Sequence, residues 1–133
     1  MSYLVGISGA RGSGKHSVCR ALQTEFKSEI VSMEKFFSDR RVFRYGDIAD
    51  WDRPEIIRYL SFRDVLSDLK QNKTTIFKPF SRKDERVSDE YTYKKKTNEY
   101  IKPTKIVFVE GSYIFYEEEI RNLIDLRIFW MFL

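Results

Sequence analysis

The sequence predicts an α/β fold in which a mostly parallel β-sheet is flanked by helices. Short apolar runs at residues 3–8 and 106–109 have the length and composition of buried parallel strands. A glycine-rich loop follows the first run, and an amphipathic helical pattern follows that loop. Strand, loop and helix in this order are the opening unit of a βαβ arrangement, which joins parallel strands.

The first helix is predicted from apolar residues that recur every four positions. They begin after Gly14 and are Val18, Leu22 and Phe26, which line one face of a helix of about three turns. A second short apolar run, at residues 29–33, is predicted as the next strand.

The segment 35–53 is rich in charged and aromatic residues and has neither helical nor strand periodicity. It contains Asp47, Asp50 and Asp52 around Trp51, and we interpret it as a loop on the substrate side of the fold.

A second helix is predicted after this loop. Pro54 suits a first helical turn, and Ser61 with Asp64 resembles a capping box that would start the main helix. The apolar stripe expected to face the core is Phe62, Val65, Leu66 and Leu69.

The remainder alternates between strand signals and a charged excursion. Residues 74–77 are predicted as a strand, and residues 78–102, with the lysine run 94–96, as a solvated hairpin or mobile excursion. The apolar run 106–109 is the strongest later strand signal, and a short helix is expected at 117–123.

The last apolar run, at residues 126–133, would leave a parallel strand at the terminus. Parallel strands are normally covered by helices on both faces. We therefore expect further elements of the fold after Leu133, and within residues 1–133 we expect a single domain.

Composition excludes several classes of protein. The chain has 133 residues, is 42% hydrophobic and carries a net charge of +4, which suits an anionic ligand but is too small to indicate nucleic-acid binding. Its one cysteine, Cys19, cannot form an internal disulfide and is expected to be buried. No stretch is apolar enough for a membrane span or signal core, so we predict a cytoplasmic protein without nucleic-acid or membrane partners.

A phosphate-binding loop, or P-loop, is predicted directly after the first strand. Its glycines let backbone N–H groups surround phosphates, and its lysine reaches the outer phosphates. The alternative is a glycine-rich turn without a ligand, which the strand before it and the helix after it disfavour. The predicted nucleotide-binding residues are Gly9, Ala10, Arg11, Gly12, Ser13, Gly14, Lys15, His16 and Ser17.

One position departs from the P-loop motif. After Lys15 a serine or threonine usually supplies a hydroxyl to Mg²⁺, whereas this chain has His16. Imidazole is a poor ligand for so hard a cation. Two alternatives stay open: Ser17 supplies the hydroxyl, or carboxylates and water hold the metal. For His16 itself, the interpretation that it merely occupies the first helical turn is preferred to the alternative that it binds the metal.

Two acidic residues are expected at the carboxyl edge of the sheet, where ligands of such folds bind. Glu110 ends the apolar strand 106–109 and is the candidate metal-organising acid. Glu34 follows the second strand, where it could position a substrate hydroxyl or accept its proton; the alternative is an ordinary loop carboxylate.

Taken together, these residues resemble the uridine kinase family, whose relatives include nicotinamide riboside kinases and phosphoribulokinases. The resemblance rests on segments 7–15, 32–37, 51–54 and 107–113, and it continues into the strand 124–129. It implies a P-loop kinase fold of which the chain carries the N-terminal part. The family's arginine-bearing lid and later elements are expected beyond residue 133.

The resemblance also implies a function and a set of roles. It implies phosphorylation of a ribonucleoside, uridine or cytidine, at the 5′-hydroxyl with ATP or GTP and Mg²⁺. Lys15 and Glu34 would be catalytic, Asp52 would hold the ribose hydroxyls, and Glu110 and Ser17 would hold the metal. The family's self-association further implies a homo-oligomer.

Departures from the family pattern leave alternatives open. Glu34 stands where the family has Asp, Arg53 replaces a histidine, and the residues after Pro79 do not reproduce the family's base-contacting residues. We therefore assign no base contact. One alternative is a catalytically impaired member that binds nucleotide or a partner chain, and another is a kinase for a different riboside, such as nicotinamide riboside.

Overall fold

The fold was analysed in a computed structural model. The structure describes residues 1–38, 41–46, 48–80 and 98–131. The lysine run 94–96, Asp47 and the last two residues of the predicted terminal strand lie outside these ranges.

A four-stranded, all-parallel sheet forms the centre of the protein. In spatial order, its strands are β2 (Glu29–Ser32), β7 (Ile106–Glu110), β1 (Tyr3–Ser8) and β8 (Leu126–Phe129). All four were predicted from their apolar runs. The sheet and its flanking helices confirm the predicted α/β class.

Alternate residues of β1 point to opposite faces of the sheet and pack in two separate hydrophobic cores. Leu4 lies in the larger core, under helix α2 (Tyr59–Lys70), whereas Val5 and Ile7 lie in the smaller core with Cys19 of helix α1 (Lys15–Phe26). Cys19 is fully buried, as expected. Burial raises the pKa of Cys19 to about 12, so this thiol stays protonated and chemically inert.

Helix α1 is present, but its predicted apolar face is displaced by part of a turn. Cys19 is its one fully buried residue, Val18 and Leu22 are half-buried, and Phe26 is 53% exposed. Because an α-helix has 3.6 residues per turn, residues spaced by four do not stay on one face. Phe26 therefore lies at the edge of the core, where its ring contacts the ring of Phe108.

Helix α2 confirms the predicted stripe but not its predicted start. The stripe residues are 0–2% exposed. The helix begins at Tyr59, with Arg58 as its N-cap and no side-chain cap, so Ser61 lies inside the first turn and the proposed capping box is wrong. The amide of Arg58 donates instead to the carbonyl of Phe36, which anchors the helix start to the segment after β2.

The described part of residues 35–53 contains regular elements that the predicted loop did not include. Two short antiparallel strands, β3 (Phe43–Tyr45) and β4 (Ile48–Asp50), form a hairpin. Short 3₁₀ turns lie at Met33–Phe36 and Pro54–Ile56, the latter with Pro54 in its first turn. Three-residue strands are too short to show alternation, which explains why sequence patterning missed them.

The excursion 78–102 is only partly described. Strand β5 (Thr75–Phe77) was predicted, and it pairs antiparallel with β6 (Glu99–Ile101), which agrees with the hairpin alternative for the end of that segment. The short third helix, α3 (Glu118–Leu123), agrees with its prediction within one residue.

Candidate active site

The P-loop connects β1 to α1 and has the backbone shape that phosphate binding requires. Gly12 and Gly14 have φ values of +79° and +87°, a left-handed conformation that favours glycine. Helix α1 starts at Lys15 without a side-chain cap, so its first N–H groups are available to an anion. Lys15 Nζ donates a hydrogen bond to the carbonyl of Ala10, 3.3 Å away, and thus lies over the loop.

Trp130, a residue that sequence reasoning missed, supports this loop from below. Its backbone amide donates to the carbonyl of Ser8 at 2.6 Å, and its indole N–H donates to the carbonyl of Ser13 at 2.8 Å. A Cβ on Gly9 would lie 2.6 Å from the carbonyl oxygen of Trp130, so glycine is needed at this close approach. The position of Trp130 just after β8, at the carboxyl edge of the sheet, was the signal that could have identified it.

A cleft of about 750 Å³ opens above the P-loop, a volume typical of small-molecule sites. A small hollow of about 20 Å³ adjoins it. The residues that line both are Arg11, Lys15, Glu34, Phe37 and Glu110. Two cationic and two carboxylate side chains therefore line both spaces. This combination suits a phosphorylated ligand accompanied by a metal ion.

Glu110 is the last residue of β7, and it lines the cleft at the carboxyl edge of the sheet. It pairs in register with Ile7 of β1 and Ser32 of β2, so it is central among the strand ends. Its side chain is only 7% exposed, and its Oε1 lies 3.4 Å from Nδ1 of His16, whose side chain is 60% exposed. His16 therefore does more than fill the first helical turn: it contacts the predicted metal-organising acid.

Glu34 lies in the 3₁₀ turn that follows β2, held between two buried neighbours. Met33 and Phe36 are 2% and 0% exposed, whereas Glu34 is exposed and lines both the cleft and the small hollow. Its carboxylate forms no hydrogen bond or ion pair within the described part of the chain. It is thus available to a hydroxyl group in the cleft.

Gly111 couples the positions of the two acids. A Cβ at Gly111 would overlap Cβ of Met33, a clash that side chains do not tolerate. The strand end that carries Glu110 and the turn that carries Glu34 can approach this closely only with glycine at this position.

We expect Gly111→Ala to destabilise the fold by about 1–3 kcal/mol, the usual cost of overpacking a core. It should also lower activity by more than the loss of folded protein explains, because Met33 and the adjacent Glu34 must move. Urea unfolding and steady-state rates on the same preparation measure both effects. The control is Ser112→Ala at the next position, and equal stability of the Gly111 variant and the wild type would contradict this packing argument.

Asp52 lies across the small hollow from the P-loop and is held by Tyr113, another residue not predicted from the sequence. The Tyr113 hydroxyl lies 3.0 Å from the carbonyl oxygen of Asp52 and 3.1 Å from its Oδ1. Burial and the neighbouring Asp52 raise the pKa of Tyr113, so its hydroxyl stays protonated and remains a donor. Within the described residues, the other carboxylate oxygen of Asp52 accepts no hydrogen bond and is available to a ligand.

The segment that carries Asp52 is braced on its other side by Asp50 and Arg53. Asp50 accepts from the Asp52 amide at 3.0 Å and from Arg53 Nε at 2.7 Å. The hydrogen bond from Arg53 lowers the pKa of Asp50. Arg53, which stands where the resembling family has a histidine, also donates to the hydroxyl of Tyr45 and so has a structural role in the hairpin.

An aromatic cluster lies beside the cleft and the small hollow, with Phe37 lining both spaces. Phe37, Trp51 and Phe80 form a triangle with ring centroids 5.2–6.3 Å apart. The sequence indicated an aromatic segment but not that three distant positions would meet.

The structure thus brings most of the predicted site residues to one edge of the sheet. Arg11, Gly12, Gly14, Lys15, His16 and Ser17 line the cleft together with Glu34 and Glu110, and Asp52 lines the adjoining hollow. Three predicted residues do not line either space. Gly9 and Ser13 pack against Trp130, and Ala10 accepts the hydrogen bond from Lys15.

A sequence model of the phosphoribulokinase / uridine kinase family matches residues 4–132, nearly the whole chain. The chain belongs to this family. Uridine kinases are also its relatives by direct comparison: it is 31% identical over 134 residues to the uridine kinase of Borrelia duttonii and 30% identical over 133 residues to that of Clostridium novyi. These matches include 97% and 95% of this chain, respectively.

The chain spans 60% of the length of both of these uridine kinases. A solved structure, described as that of a possible uridine kinase from Bacillus stearothermophilus, superposes with a TM-score of 0.67. That match covers 96% of this chain and 70% of the other at 13% sequence identity, which supports the shared fold. The predicted P-loop kinase architecture and the predicted family are both confirmed.

Membership of this family implies a divalent cation at the phosphates. The side chains that line the cleft supply only some of the ligands that such a cation needs. The carboxylate of Glu110 is a suitable oxygen ligand. The neighbouring ligand is an imidazole, whose nitrogen suits transition metals better than magnesium. Among the described residues no group of three or more His, Cys, Asp or Glu side chains could hold a metal, so phosphates and water would have to complete the coordination.

No helix in the described ranges is long and apolar enough to cross a membrane.

Proposed function

We propose that the protein transfers the γ-phosphoryl group of ATP or GTP to the 5′-hydroxyl of a ribonucleoside such as uridine or cytidine. The observation that carries this proposal is the set of charged side chains that line both the cleft and the small hollow. Lys15, Glu34 and Glu110 line both the cleft and the small hollow, and Asp52 lines the hollow. In this proposal the nucleotide and the acceptor share the larger cleft, and an acceptor that reaches toward Asp52 would have its hydroxyl near Glu34.

Phosphoryl transfer asks mainly for positioning and charge neutralisation. In this proposal the P-loop amides and Lys15 bind the outer phosphates, and Glu110 holds the divalent cation, with Ser17 as a further oxygen ligand near the helix start. A bound cation supplies charge neutralisation on the phosphates. Glu34 accepts a hydrogen bond from the acceptor hydroxyl and takes its proton as the new P–O bond forms.

The test uses the whole chain with ATP or GTP, a divalent cation and a panel of ribosides: uridine, cytidine, adenosine, guanosine and nicotinamide riboside. We expect acceptor-dependent nucleoside diphosphate together with a 5′-monophosphate, both measured by chromatography. Phosphorylation of nicotinamide riboside alone would identify the acceptor as that other riboside. Nucleotide binding without acceptor-dependent diphosphate, across the panel, would overturn the kinase proposal.

A second candidate is a family member that binds nucleotide without transferring phosphate. The contact between His16 and Glu110 favours it, because an imidazole stands where the family's P-loop hydroxyl would help to hold the cation. The same panel separates the candidates, since this one predicts measurable nucleotide affinity and no turnover with any acceptor.

We expect Asp52→Asn to raise KM for the acceptor by about tenfold to a hundredfold with a smaller change in kcat. A carboxylate that binds ribose hydroxyls contributes about 1.5–3 kcal/mol through charge-assisted hydrogen bonds. Tyr113→Phe should raise KM less, because it only frees the Asp52 side chain to move. Asp64→Asn, an exposed carboxylate that lines neither space, is the matched control. An unchanged acceptor KM in Asp52→Asn would contradict the assignment.

A further inference from the structure

We propose that His16 and Glu110 together bind a first-row transition-metal dication, such as Co²⁺ or Zn²⁺, in preference to Mg²⁺, alongside the phosphates of the bound nucleotide. The proposal deepens the proposed function, because it rests on nucleotide binding at the P-loop and names the cation that would accompany it.

The first argument is the distance between the two ligand atoms. His16 Nδ1 and Glu110 Oε1 lie 3.4 Å apart on the wall of the cleft. Two ligands each about 2.1 Å from one ion, at tetrahedral to octahedral angles, lie roughly 3.0–3.4 Å from one another. The pair therefore has the separation of adjacent ligands of a single ion.

The second argument is ligand chemistry. Mg²⁺ takes oxygen ligands in a nearly ideal octahedron, whereas Co²⁺, Ni²⁺ and Zn²⁺ bind imidazole nitrogen well. A serine or threonine at position 16 would supply the hydroxyl that Mg²⁺ uses in a P-loop. His16 replaces that oxygen with nitrogen at the same place beside Lys15 and thereby changes which cations the site prefers.

The third argument is where the pair lies. Glu110 is almost entirely buried at the sheet edge and fixed by two neighbouring strands, while the imidazole is 60% exposed toward the cleft. One ligand is thus rigid, and the other can adjust to an ion that also contacts phosphate. Cys19, one turn further along α1, is not a third ligand, because it is fully buried in the smaller core and does not line the cleft.

The test exploits the fact that His16 is the only histidine in the chain. Co²⁺ is added to the whole protein with a non-hydrolysable ATP analogue, and proton NMR is used to look for a hyperfine-shifted, exchangeable imidazole N–H resonance. We expect one such resonance in the wild type and none in His16→Ser. We also expect the Co²⁺ to Mg²⁺ affinity ratio, measured by competition calorimetry, to fall by about tenfold or more in His16→Ser.

Binding of the analogue with Mg²⁺ present, measured separately, distinguishes failure of this inference from failure of the proposed function. Analogue binding without the shifted resonance, or equal affinity ratios in the wild type and His16→Ser, overturns the metal assignment and leaves the kinase proposal standing. Absence of analogue binding in the wild type overturns both. His16→Ala is the second variant: it should lose the resonance and, without a hydroxyl, should not gain Mg²⁺ affinity.

Discussion

Replacing Lys15 by alanine is expected to reduce turnover by about a hundredfold or more, the usual cost of removing one group that stabilises charge developing in a transition state. Nucleotide affinity should fall as well, by about tenfold or more, because hydrogen bonds from an ammonium group to phosphate are charge-assisted. The fold should be retained. The only hydrogen bond that the structure gives the Lys15 ammonium, within the described residues, is the exposed one to Ala10.

Arg20→Ala is the matched control for this change. Arg20 is an exposed cation on the same helix and lines neither the cleft nor the small hollow. Fluorescent-nucleotide titration and initial rates, measured on both variants, separate a local effect from a general loss of positive charge. Wild-type affinity and rate in Lys15→Ala would contradict the assignment of the P-loop as the phosphate site.

The sequence predicted the central sheet well because buried parallel strands leave a strong local signal. Residues 3–8 and 106–109 are nearly continuous apolar runs, and a glycine-rich loop or an acid follows each one. The carboxyl-edge rule then placed Glu34 and Glu110 correctly beside the P-loop. Both acids do line one cleft with Lys15.

What the sequence could not predict depends on tertiary contacts. Trp130 reaches the P-loop only because β8 pairs with β1, a contact between residues more than a hundred positions apart. The start of α2 is likewise determined by the bond from Arg58 to Phe36, which prevails over a local capping signal at Ser61. Neither arrangement leaves a periodic pattern in the chain.

The role of His16 illustrates a different difficulty. Motif comparison identified the residue as a departure from the P-loop pattern but offered no partner for it, since Glu110 follows it by 94 positions. The register of β1 with β7 brings Glu110 to the loop, and only then does the pair of nitrogen and oxygen ligands become visible.

Replacing Glu34 by glutamine is expected to lower kcat by about 10²–10⁴-fold, the range contributed by a positioned general base. An amide of nearly equal size can still contact the acceptor hydroxyl but cannot take its proton. Nucleotide affinity should be unchanged, and stability should change by no more than about 0.5 kcal/mol, because Glu34 is exposed. Glu25→Gln on the outer surface of α1 is the control for loss of one negative charge.

Glu34→Asp extends this test by separating the two candidate functions. If the backbone turn at residues 33–36 places the longer glutamate carboxylate correctly, shortening it by one methylene should cost up to about a hundredfold in kcat, as small misplacements of catalytic groups do. If glutamate instead blocks catalysis in a nucleotide-binding protein, the aspartate that the family carries should raise turnover above the wild type. Initial rates of the wild type, Glu34→Gln and Glu34→Asp, measured with the best acceptor, decide between these outcomes. Equal rates in all three proteins would exclude Glu34 from the reaction.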